Sequence, residues 1–500
     1  MTIEKFSKLA EEFNLIPVYE IITADLLTPV LAYLKIRENG KQSFLLESVE
    51  GSLNLARYSF IGKNPEKIFF NNHLSLSEKT EGEEKSFEKN IFEYIKEELK
   101  KYKQPKIDGL PDFTGGIVGF LGYETISLIE KVVPRNDNGF DNSDSIFGIY
   151  KTILAFDHYK HQIILISNVD ATAFPSIEEA FNAGKEELSK LRTELKKPLL
   201  PATAGKAGEF SSDFSFEKEY SSNFSNEEFY KLVEASKQNI IEGDIFQIVL
   251  SKRFSTTYTG DLFNVYRALR IINPSPYMYH LEFENNFTVI GTSPEDLLKV
   301  KNGKAQLLPI AGTRGRGKTV EEDKRLEENL LNDPKELAEH TMLVDLGRND
   351  LGRVCKFDSV KVSELMRIQR YSHVMHIVSK VEGELAEDKD AIDALQACFP
   401  AGTVAGAPKI RAMQLIYKYE KLRRNVYAGS VGYFDFSGNL DMCIAIRTLF
   451  AKGKTLYWQA GAGIVADSTP ELETKEIRNK AAVLLNALQY AEVIDENISN

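Results

Sequence analysis

The sequence has few cysteines and no long apolar run. Cys355, Cys398 and Cys443 are the only cysteines among 500 residues, and they match neither the paired spacing of a zinc site nor a disulfide framework. No stretch approaches the roughly 20 apolar residues that cross a membrane. The first residues lack the apolar core of a secretory signal and the arginine and serine bias of a transit peptide. We therefore expect a protein of the reducing cytoplasm with three packed thiols.

Acidic residues outnumber basic ones, 73 to 62. The formal net charge is −11, which gives no overall attraction to nucleic acid or to an anionic membrane surface. We therefore expect neither as a partner, and an anionic substrate would need a local positive site. Hydrophobic residues make up 43% of the chain, which is enough to bury a large globular core.

A change in composition divides the chain. Between residues 196 and 215, proline, alanine, glycine and serine replace the apolar periodicity of the flanking segments, as expected of a linker or a long surface loop. We place a boundary there, between an amino-terminal region of residues 1–205 and a carboxyl-terminal region of residues 206–495. In the first region, the charged run at residues 78–85 is expected to be a solvated loop.

Hydrophobic spacing indicates a mixed α and β body. Short turns between the strands of residues 426–450 favour antiparallel pairing over alternating β and α units. The predicted fold class is therefore α+β. Strands are predicted at residues 43–48, 246–250, 287–291 and 455–461, and helices at residues 87–102, 227–242 and 334–346.

Two pairs of glutamates are three residues apart. Asp333 and Pro334 are typical of a helix start, and the spacing puts both members of a pair on one helix face. Four carboxylates facing one cleft would repel one another, and Mg²⁺, which prefers oxygen ligands, would relieve that repulsion. From spacing alone, solvated helix faces or a capping box are the commoner meaning. The pairs are Glu336 with Glu339 and Glu473 with Glu476.

Two glycine-dense stretches and one arginine suggest an anion site. Residues 401–409 and 459–464 indicate turns, the second at the end of the strand predicted at residues 455–461, whose backbone N–H groups can bind an anion. Arg447 lies in the otherwise apolar run 443–450, which predicts a strand, and a guanidinium within it is costly to bury unless a carboxylate pairs with it. That carboxylate could belong to a substrate or to an internal glutamate, and the residues alone leave both open.

Several motifs occur in a fixed order along the chain, at residues 243–251, 291–295, 309–314 and 339–350 and in the two glycine-dense stretches. Together they resemble the chorismate-utilising enzymes, and within them anthranilate synthase component I. The resemblance extends from about residue 214 to residue 491, with weaker matches at residues 27–30, 45–48 and 57–62. It implies two large stacked antiparallel β-sheets with outer helices, and the conversion of chorismate and ammonia to anthranilate and pyruvate with Mg²⁺.

The resemblance also implies a role for each matched residue. Glu295 would be the general acid that protonates the departing C4 hydroxyl, which needs a carboxylic acid kept protonated by its surroundings. His376, in the matched motif at residues 371–376, would complete pyruvate elimination, although a histidine seen without that motif is more often a core residue. Gln247 and Lys480 complete the catalytic set. The metal ligands would be Glu336, Glu339, Glu473 and Glu476, and the substrate-binding residues Thr403, Tyr427, Arg447, Gly461, Ala462, Gly463, Gly312 and Thr313.

Two positions distinguish this chain from related enzymes. The isochorismate and salicylate synthases carry a lysine base where this chain has Gln247, whereas ammonia is already a nucleophile and needs no base there. The aminodeoxychorismate synthases carry a lysine where this chain has Ala311. Anthranilate synthase is therefore favoured, with an aminodeoxychorismate synthase or a non-catalytic tryptophan-binding regulatory protein as alternatives. Gly315, where the family usually has proline, departs from the pattern without touching these roles.

The chain has no Gly-x-Cys-x-Gly glutaminase motif. The resemblance therefore implies a separate glutamine amidotransferase subunit that supplies ammonia, in a hetero-oligomer such as a heterotetramer, with region 1–205 making contacts to it and region 206–495 binding chorismate. It further implies feedback inhibition by tryptophan. The matched tryptophan-binding residues are Leu46, Glu47, Ser48, Pro276, Tyr277, Met278, Gly432 and Tyr433.

Overall fold

The computed structural model describes residues 1–38, 40–48, 57–140, 142–198, 220–371 and 374–494. The expected boundary between residues 205 and 206 lies outside these ranges. Within them, no helix has both the length and the apolar character needed to cross a membrane. Strands from both sides of the boundary occur in each of two β-sheets, so the two regions fold together.

The described strands of the amino-terminal region are β1 (Leu15–Thr23), β2 (Ser43–Glu47), β3 (Tyr58–Lys63), β4 (Lys67–Asn72), β5 (Ser75–Thr80), β6 (Glu83–Glu88), β7 (Gly116–Leu121), β8 (Ser145–Tyr150), β9 (Thr152–Asp157) and β10 (Gln162–Asp170). Those of the carboxyl-terminal region are β11 (Ser221–Ser222), β12 (Gln247–Thr257), β13 (Tyr277–Phe283), β14 (Phe287–Ser293), β15 (Asp296–Lys301), β16 (Lys304–Leu307), β17 (Ile310–Gly315), β18 (Lys361–Arg370), β19 (Val374–Glu384), β20 (Gly406–Ala407), β21 (Ser430–Asp435), β22 (Leu440–Ile444), β23 (Thr448–Lys452) and β24 (Thr455–Ile464).

The described helices are α1 (Ile3–Ala10), α2 (Pro29–Ile36), α3 (Ile91–Lys100), α4 (Ile177–Lys196), α5 (Asn226–Ile241), α6 (Leu262–Ile272), α7 (Val320–Leu331), α8 (Pro334–Gly352), α9 (Ala391–Cys398), α10 (Lys409–Glu420) and α11 (Pro470–Val493). Short 3-10 turns lie at Tyr123–Leu128, Ala171–Ala173 and Gly402–Val404.

The strands form two sheets of twelve. The first has the order β1-β10-β9-β3-β2-β13-β14-β23-β24-β12-β11, with β20 also paired to β12. The second has the order β17-β19-β16-β15-β22-β21-β7-β8-β4-β5-β6, with β18 also paired to β19. The strand pairs are antiparallel. The expected α+β class, with large antiparallel sheets and helices, is confirmed.

The inner faces of the sheets pack on each other through an aromatic-rich layer. Phe44 and Tyr279 of the first sheet lie in one buried cluster with Phe120 and Tyr150 of the second. The rings of Phe44 and Tyr150 meet edge to face, with centroids 4.7 Å apart. Helices α4, α5, α6 and α11 contact the first sheet, whereas α8 and α9 contact the second. These helices therefore lie against several strands of the first sheet, and against the end of the second sheet formed by β15, β17, β18 and β19.

A polar cap fixes the start of α8, the helix that carries Glu336 and Glu339. Asp333 precedes α8, and its carboxylate accepts hydrogen bonds from the backbone N–H groups of Lys335 and Glu336 at 3.0 and 3.4 Å. Pro334 occupies the first helical position, where a backbone N–H would have no partner within the helix, so its absence costs nothing. The start expected from the sequence is thus confirmed. Glu336 does not close a capping box, because its carboxylate receives Arg314 Nη1 at 3.0 Å instead.

The charged run at residues 78–85 is not a loop. It lies in the hairpin of β5 and β6 at the edge of the second sheet, with a turn only at residues 81–82. Charged side chains are common on edge strands because they discourage pairing with another chain, so charge was a misleading signal. Leu76 is fully buried and holds the hairpin to the core. Phe87 accordingly lies in β6, and the following helix starts only at Ile91, capped by Asn90.

Candidate active site

A cavity of about 290 Å³ lies where both sheets and two helices meet. Its walls come from β12 and β24 of the first sheet, from β17 and β19 of the second, and from α8 and α11. All four residues expected to be catalytic line it, namely Gln247, Glu295, His376 and Lys480. Six of the eight expected substrate-binding residues also line it, namely Thr313, Thr403, Tyr427, Arg447, Gly461 and Gly463.

Gly312 and Ala462 do not line the cavity. Ala462 lies between Gly461 and Gly463 on β24, and successive residues of a strand face opposite sides, so its side chain is buried away from the cavity. Gly312 has a positive φ of 66°, and a Cβ there would come within 3.1 Å of the Glu336 carboxylate. Its contribution is its backbone carbonyl, which holds His376.

Glu295 lies in the turn between β14 and β15 and projects into the cavity. Burial raises the pKa of its carboxyl to about 7, against smaller opposing effects of Thr403 and Lys480. Its backbone is fixed on both sides, because Ile444 N–H donates to its carbonyl at 3.0 Å and Ser293 Oγ lies 3.4 Å from its N–H. A carboxyl that is partly protonated at neutral pH in a fixed position can act as a general acid.

His376 has a defined orientation on β19. Its Nδ1 lies 3.0 Å from the Gly312 carbonyl and 3.1 Å from Thr313 Oγ1. A carbonyl can only accept a hydrogen bond, so Nδ1 carries the proton and Nε2 is left as a base. Burial lowers the pKa of the ring, with Arg447 acting in the same direction, which keeps it neutral near pH 7.

Arg447 lies between two strands rather than within one. The sequence suggested a continuous apolar strand at residues 443–450, but β22 ends at Ile444 and β23 begins at Thr448. Arg447 has a left-handed φ of 51° and reaches the cavity. Burial lowers the pKa of its guanidinium, which nevertheless stays charged. Within the described ranges it makes no ion pair or side-chain hydrogen bond, so an internal glutamate is not its partner there.

The second glycine-dense stretch is a strand, not a turn. Residues 459–464 lie in β24 and pair with β12 along their whole length. A Cβ on Gly461 would come within 2.6 Å of the Tyr427 hydroxyl, and one on Gly463 within 2.6 Å of the Gln247 amide. These glycines are therefore needed for close approach of side chains across the cavity, not for a turn.

A buried ion pair supports the wall behind the cavity, and sequence reasoning missed it. Arg424 is fully buried and binds Glu420 through Nε at 2.8 Å and Nη2 at 2.6 Å. Its remaining N–H groups donate to the carbonyls of Val404 at 2.8 Å and Val249 at 2.7 Å, two residues that line the cavity. The arginine pair before Tyr427 was the only sequence signal for this network.

The other lining residues missed from the sequence are mostly apolar and look like ordinary core residues. Gln459 and Tyr371 are the exceptions, and Tyr371, which lies edge-on to the His376 ring with centroids 5.6 Å apart, stands in the same motif as His376. The missed residues are Val249, Pro294, Ile310, Leu343, Tyr371, Val404, Ile446, Gln459, Ala460 and Leu484.

The four expected metal ligands come from the starts of α8 and α11. Glu339 lines the cavity, and burial raises its pKa, reinforced by the charges of Glu336 and, from the other helix, Glu476. Burial also raises the pKa of Glu473, again with Glu476 adding to it. Mutual repulsion of this kind is what a hard divalent cation relieves, so the donor chemistry fits Mg²⁺.

The carboxylates are not gathered into a ready coordination shell. Glu336 binds Arg314 at 3.0 Å and Glu476 binds Lys480 at 2.6 Å. No group of three or more acidic, histidine or cysteine side chains stands close enough to hold a metal ion in the part of the chain that the structure describes. Two of the four carboxylates would therefore exchange a cationic side chain for a metal.

A second cavity, of about 280 Å³, lies between the sheets; we call it the effector cavity. All eight expected tryptophan-binding residues line it: Leu46, Glu47, Ser48, Pro276, Tyr277, Met278, Gly432 and Tyr433. Glu47 is bound by Arg270 Nε at 3.0 Å, while Asp441 accepts from Tyr277 at 2.9 Å and from Lys299 at 2.6 Å. Aromatic walls and charged groups of both signs suit a zwitterionic aromatic ligand.

Comparison with known proteins agrees with this arrangement. The family model described as chorismate binding enzyme matches residues 52–486. Anthranilate synthase component 1 of Acetivibrio thermocellus is 45% identical over 499 residues, covering 98% of each chain, and that of Aquifex aeolicus is 45% identical over 498 residues, covering 99% of each.

Solved structures show the same fold. Anthranilate synthase component I from Streptococcus pneumoniae aligns with a TM-score of 0.76 at 37% identity, covering 93% of this chain and 98% of that one. The menaquinone-specific isochorismate synthase from Escherichia coli shares the fold at 20% identity, with a TM-score of 0.69, covering 97% and 99% of the two chains. The chain therefore belongs to the chorismate binding enzyme family, among the anthranilate synthase component I proteins.

Proposed function

We propose that this chain is the large subunit of an anthranilate synthase, which converts chorismate and ammonia to anthranilate and pyruvate. The observation that carries the proposal is the guanidinium of Arg447, which lines the cavity without an ion-pair partner in the described ranges, in the same cavity as the half-protonated acid Glu295. An enclosed positive group of this kind is stabilised by an anionic ligand, and a planar carboxylate suits its two parallel donors.

Glu295 would act first. Ammonia forms a bond to C2 of the chorismate ring, the ring double bonds shift, and the C4–O bond breaks. Glu295 gives its proton to the departing hydroxyl, which leaves as water, and the ammonium group formed at C2 then loses one proton, which restores the acid and leaves an amine. The raised pKa of Glu295 keeps that proton available near neutral pH.

His376 would complete the reaction. The free Nε2 that follows from the Gly312 hydrogen bond can take the proton from C2 as the bond between C3 and the enolpyruvyl oxygen breaks. The ring becomes aromatic, and the enolpyruvyl group leaves and is protonated to pyruvate. The fixed ring orientation reduces the entropy that this step would otherwise cost.

Three further groups would hold the substrate. Arg447 would bind a carboxylate through two N–H groups. Burial raises the pKa of Tyr427 to about 12, so its hydroxyl stays protonated and can donate to the same anion. Thr403 Oγ1 is buried beside the Glu295 carboxyl, where its hydroxyl opposes the rise in the Glu295 pKa and can also donate to a bound substrate.

Two residues that line the cavity indicate which nucleophile the enzyme uses. Gln247 lines the cavity where a lysine base would be needed to activate water, and its uncharged amide is compatible with ammonia. Ala311 also lines the cavity and offers no amine for a covalent intermediate. Both residues favour addition of ammonia at C2 of chorismate over addition of water and over amination at C4.

Mg²⁺ would be held by Glu336, Glu339, Glu473 and Glu476, directly or through water. When bound, it would neutralise the ring carboxylate of the substrate and the repulsion among these acids. Glu339 contributes from the cavity wall, and release of Lys480 from Glu476 would leave its ammonium beside the Gly461 carbonyl, to which it already donates at 3.0 Å.

Ammonia would come from glutamine through a separate amidotransferase subunit, because the sequence has no glutaminase motif. The numbered component in the names of the relatives supports a second component. Tryptophan would bind in the effector cavity as a feedback inhibitor, which the placement of all eight expected residues around one cavity supports.

The test is a product assay. The purified chain with Mg²⁺, chorismate and an ammonium salt at alkaline pH should form fluorescent 2-aminobenzoate and equimolar pyruvate. Glu295→Gln should form neither, while Glu284→Gln, which alters a glutamate in the β13–β14 turn, should behave as wild type. Formation of only isochorismate or of 4-aminobenzoate by the wild-type chain would refute the assignment.

A further inference from the structure

One pair of neighbouring strands connects the effector cavity to the catalytic cavity, because β13 lines the first and Pro294 and Glu295, which follow β14, line the second. Tyr277 and Met278 of the effector cavity lie on β13, directly opposite Ser293 and Thr292 on β14. Directly opposed residues of antiparallel strands move together, because backbone hydrogen bonds and packed side chains join them. A shift of Tyr277 or Met278 is therefore passed to Thr292 and Ser293.

Thr292 and Ser293 hold the two central groups of the catalytic cavity. The Thr292 N–H donates to the carbonyl of Arg447 at 3.1 Å. The Ser293 hydroxyl lies 3.4 Å from the Glu295 N–H and 3.2 Å from the Glu295 carbonyl, which gives this short turn a side-chain brace. Ser293 is fully buried, so its hydroxyl has no competing water.

Asp296 faces the effector side of the same turn. It lies directly opposite Cys443 on β22, and Cys443 lines the effector cavity, so both side chains are on the inner face of the sheet. Its two carboxyl oxygens are buried and lack a hydrogen-bond partner among the described residues. Glu295, the preceding residue, lines the catalytic cavity, whereas Asp296 begins β15 beside Cys443 and lies next to the wall of the effector cavity without lining it.

We propose that residues 292–296 are the physical link through which a ligand in the effector cavity acts on the catalytic site, with Ser293 and Asp296 as its positioning residues. This inference rests on the proposed function, since it concerns how tryptophan inhibits the same reaction. Sub-ångström movement of β13 on ligand binding would displace the Glu295 carboxyl and the Arg447 backbone together. Effector and chorismate then each bind preferentially to a different arrangement of this turn, so that each weakens binding of the other.

The experiment separates effector binding from coupling. Tryptophan affinity is measured by equilibrium dialysis without chorismate, and coupling is measured as the ratio of the chorismate KM at saturating tryptophan to that without tryptophan. For the wild type we expect a ratio of about tenfold or more, and linkage requires chorismate to weaken tryptophan binding by the same factor. Ser293→Ala and the isosteric Asp296→Asn should each reduce the ratio to below about threefold, with tryptophan affinity changed less than the ratio.

Two matched controls test whether any buried change would do the same. Ser430→Ala removes another fully buried hydroxyl, and Asp435→Asn another buried carboxyl, both on β21 and lining neither cavity. Both should keep the wild-type ratio. An unchanged ratio in both Ser293→Ala and Asp296→Asn would overturn the link, as would an equal loss in the two controls. Failure of the wild type to bind tryptophan would refute the regulatory proposal itself, whereas failure to form 2-aminobenzoate would refute the catalytic one.

Discussion

The acid role of Glu295 leads to a specific pH dependence. With a pKa of about 7, about half of the Glu295 carboxyls carry a proton at pH 7. A glutamate with the ordinary value of 4.5 would be protonated in only about one molecule in 300 at that pH. The cavity therefore raises the population of the active acid by roughly two orders of magnitude, which is equivalent to about 3 kcal/mol.

The direction of the pH dependence follows from the raised pKa of Glu295. The active form is protonated, so activity is present below the raised pKa and is lost as the pH rises through about 7. We expect kcat/KM for chorismate, divided by the concentration of unprotonated ammonia, to fall about tenfold for each pH unit above that value. Continuous anthranilate fluorescence between pH 6 and pH 9 at several ammonium concentrations measures it.

Two variants make the test decisive. Glu295→Gln keeps the shape and polarity of the side chain but cannot give a proton, and it should lose about three orders of magnitude in kcat with a similar chorismate KM. Glu295→Asp keeps the acid but shortens its reach, so it should retain the descending limb at lower rate. A flat profile in the wild type, or a Glu295→Gln variant within tenfold of the wild-type rate, would refute the reasoning.

Five other changes give distinct outcomes. Arg447→Lys keeps one charge but loses the two-pronged donor, so kcat/KM for chorismate should fall about 100-fold, mainly through KM. Chelation by EDTA should abolish 2-aminobenzoate formation and added Mg²⁺ restore it, and Glu339→Gln should raise the Mg²⁺ concentration needed for half-maximal activity. Ser48→Phe fills part of the effector cavity, so tryptophan should bind at least about tenfold more weakly by equilibrium dialysis. Burial raises the pKa of Asp296 well above its usual range, so ionisation of the unfolded chain destabilises the fold as the pH rises above about 4, and urea unfolding should show Asp296→Asn gaining up to about 1.4 kcal/mol per pH unit over the wild type.

Local signals in the sequence predicted the parts of the site that depend on neighbours along the chain. Asp333 and Pro334 are confirmed as the start of α8 because capping and the fixed φ of proline act within a few residues. Glu295, His376 and Arg447 line one cavity, as predicted. Each short motif identifies one segment, and the order of the motifs along the chain resembles that of a family in which these segments form one site. Antiparallel pairing was predictable from the short turns between strands.

Contacts between distant segments were not predictable in this way. Arg424 draws together β12 and the glycine-rich turn through the carbonyls of Val249 and Val404, yet in the sequence it is one of many arginines. Glycines at residues 461 and 463 read as turn formers, but they are required by Tyr427 and Gln247, which approach from other elements. Such requirements arise only from tertiary packing, which overrides local preference.

The break at Arg447 shows why the site departs from local rules. A residue with a side chain in the left-handed region costs of order 1 kcal/mol and persists only when its surroundings impose it. Here Thr292 N–H binds the Arg447 carbonyl from β14, and β22 and β23 belong to different sheets, so the chain must turn sharply between them. A glycine would relieve the strain but would remove the guanidinium from the cavity. The strain and the lack of an ion-pair partner among the described residues therefore have one explanation: the crossing between the sheets is used to present a positive group to an anionic substrate, beside the turn that holds Glu295.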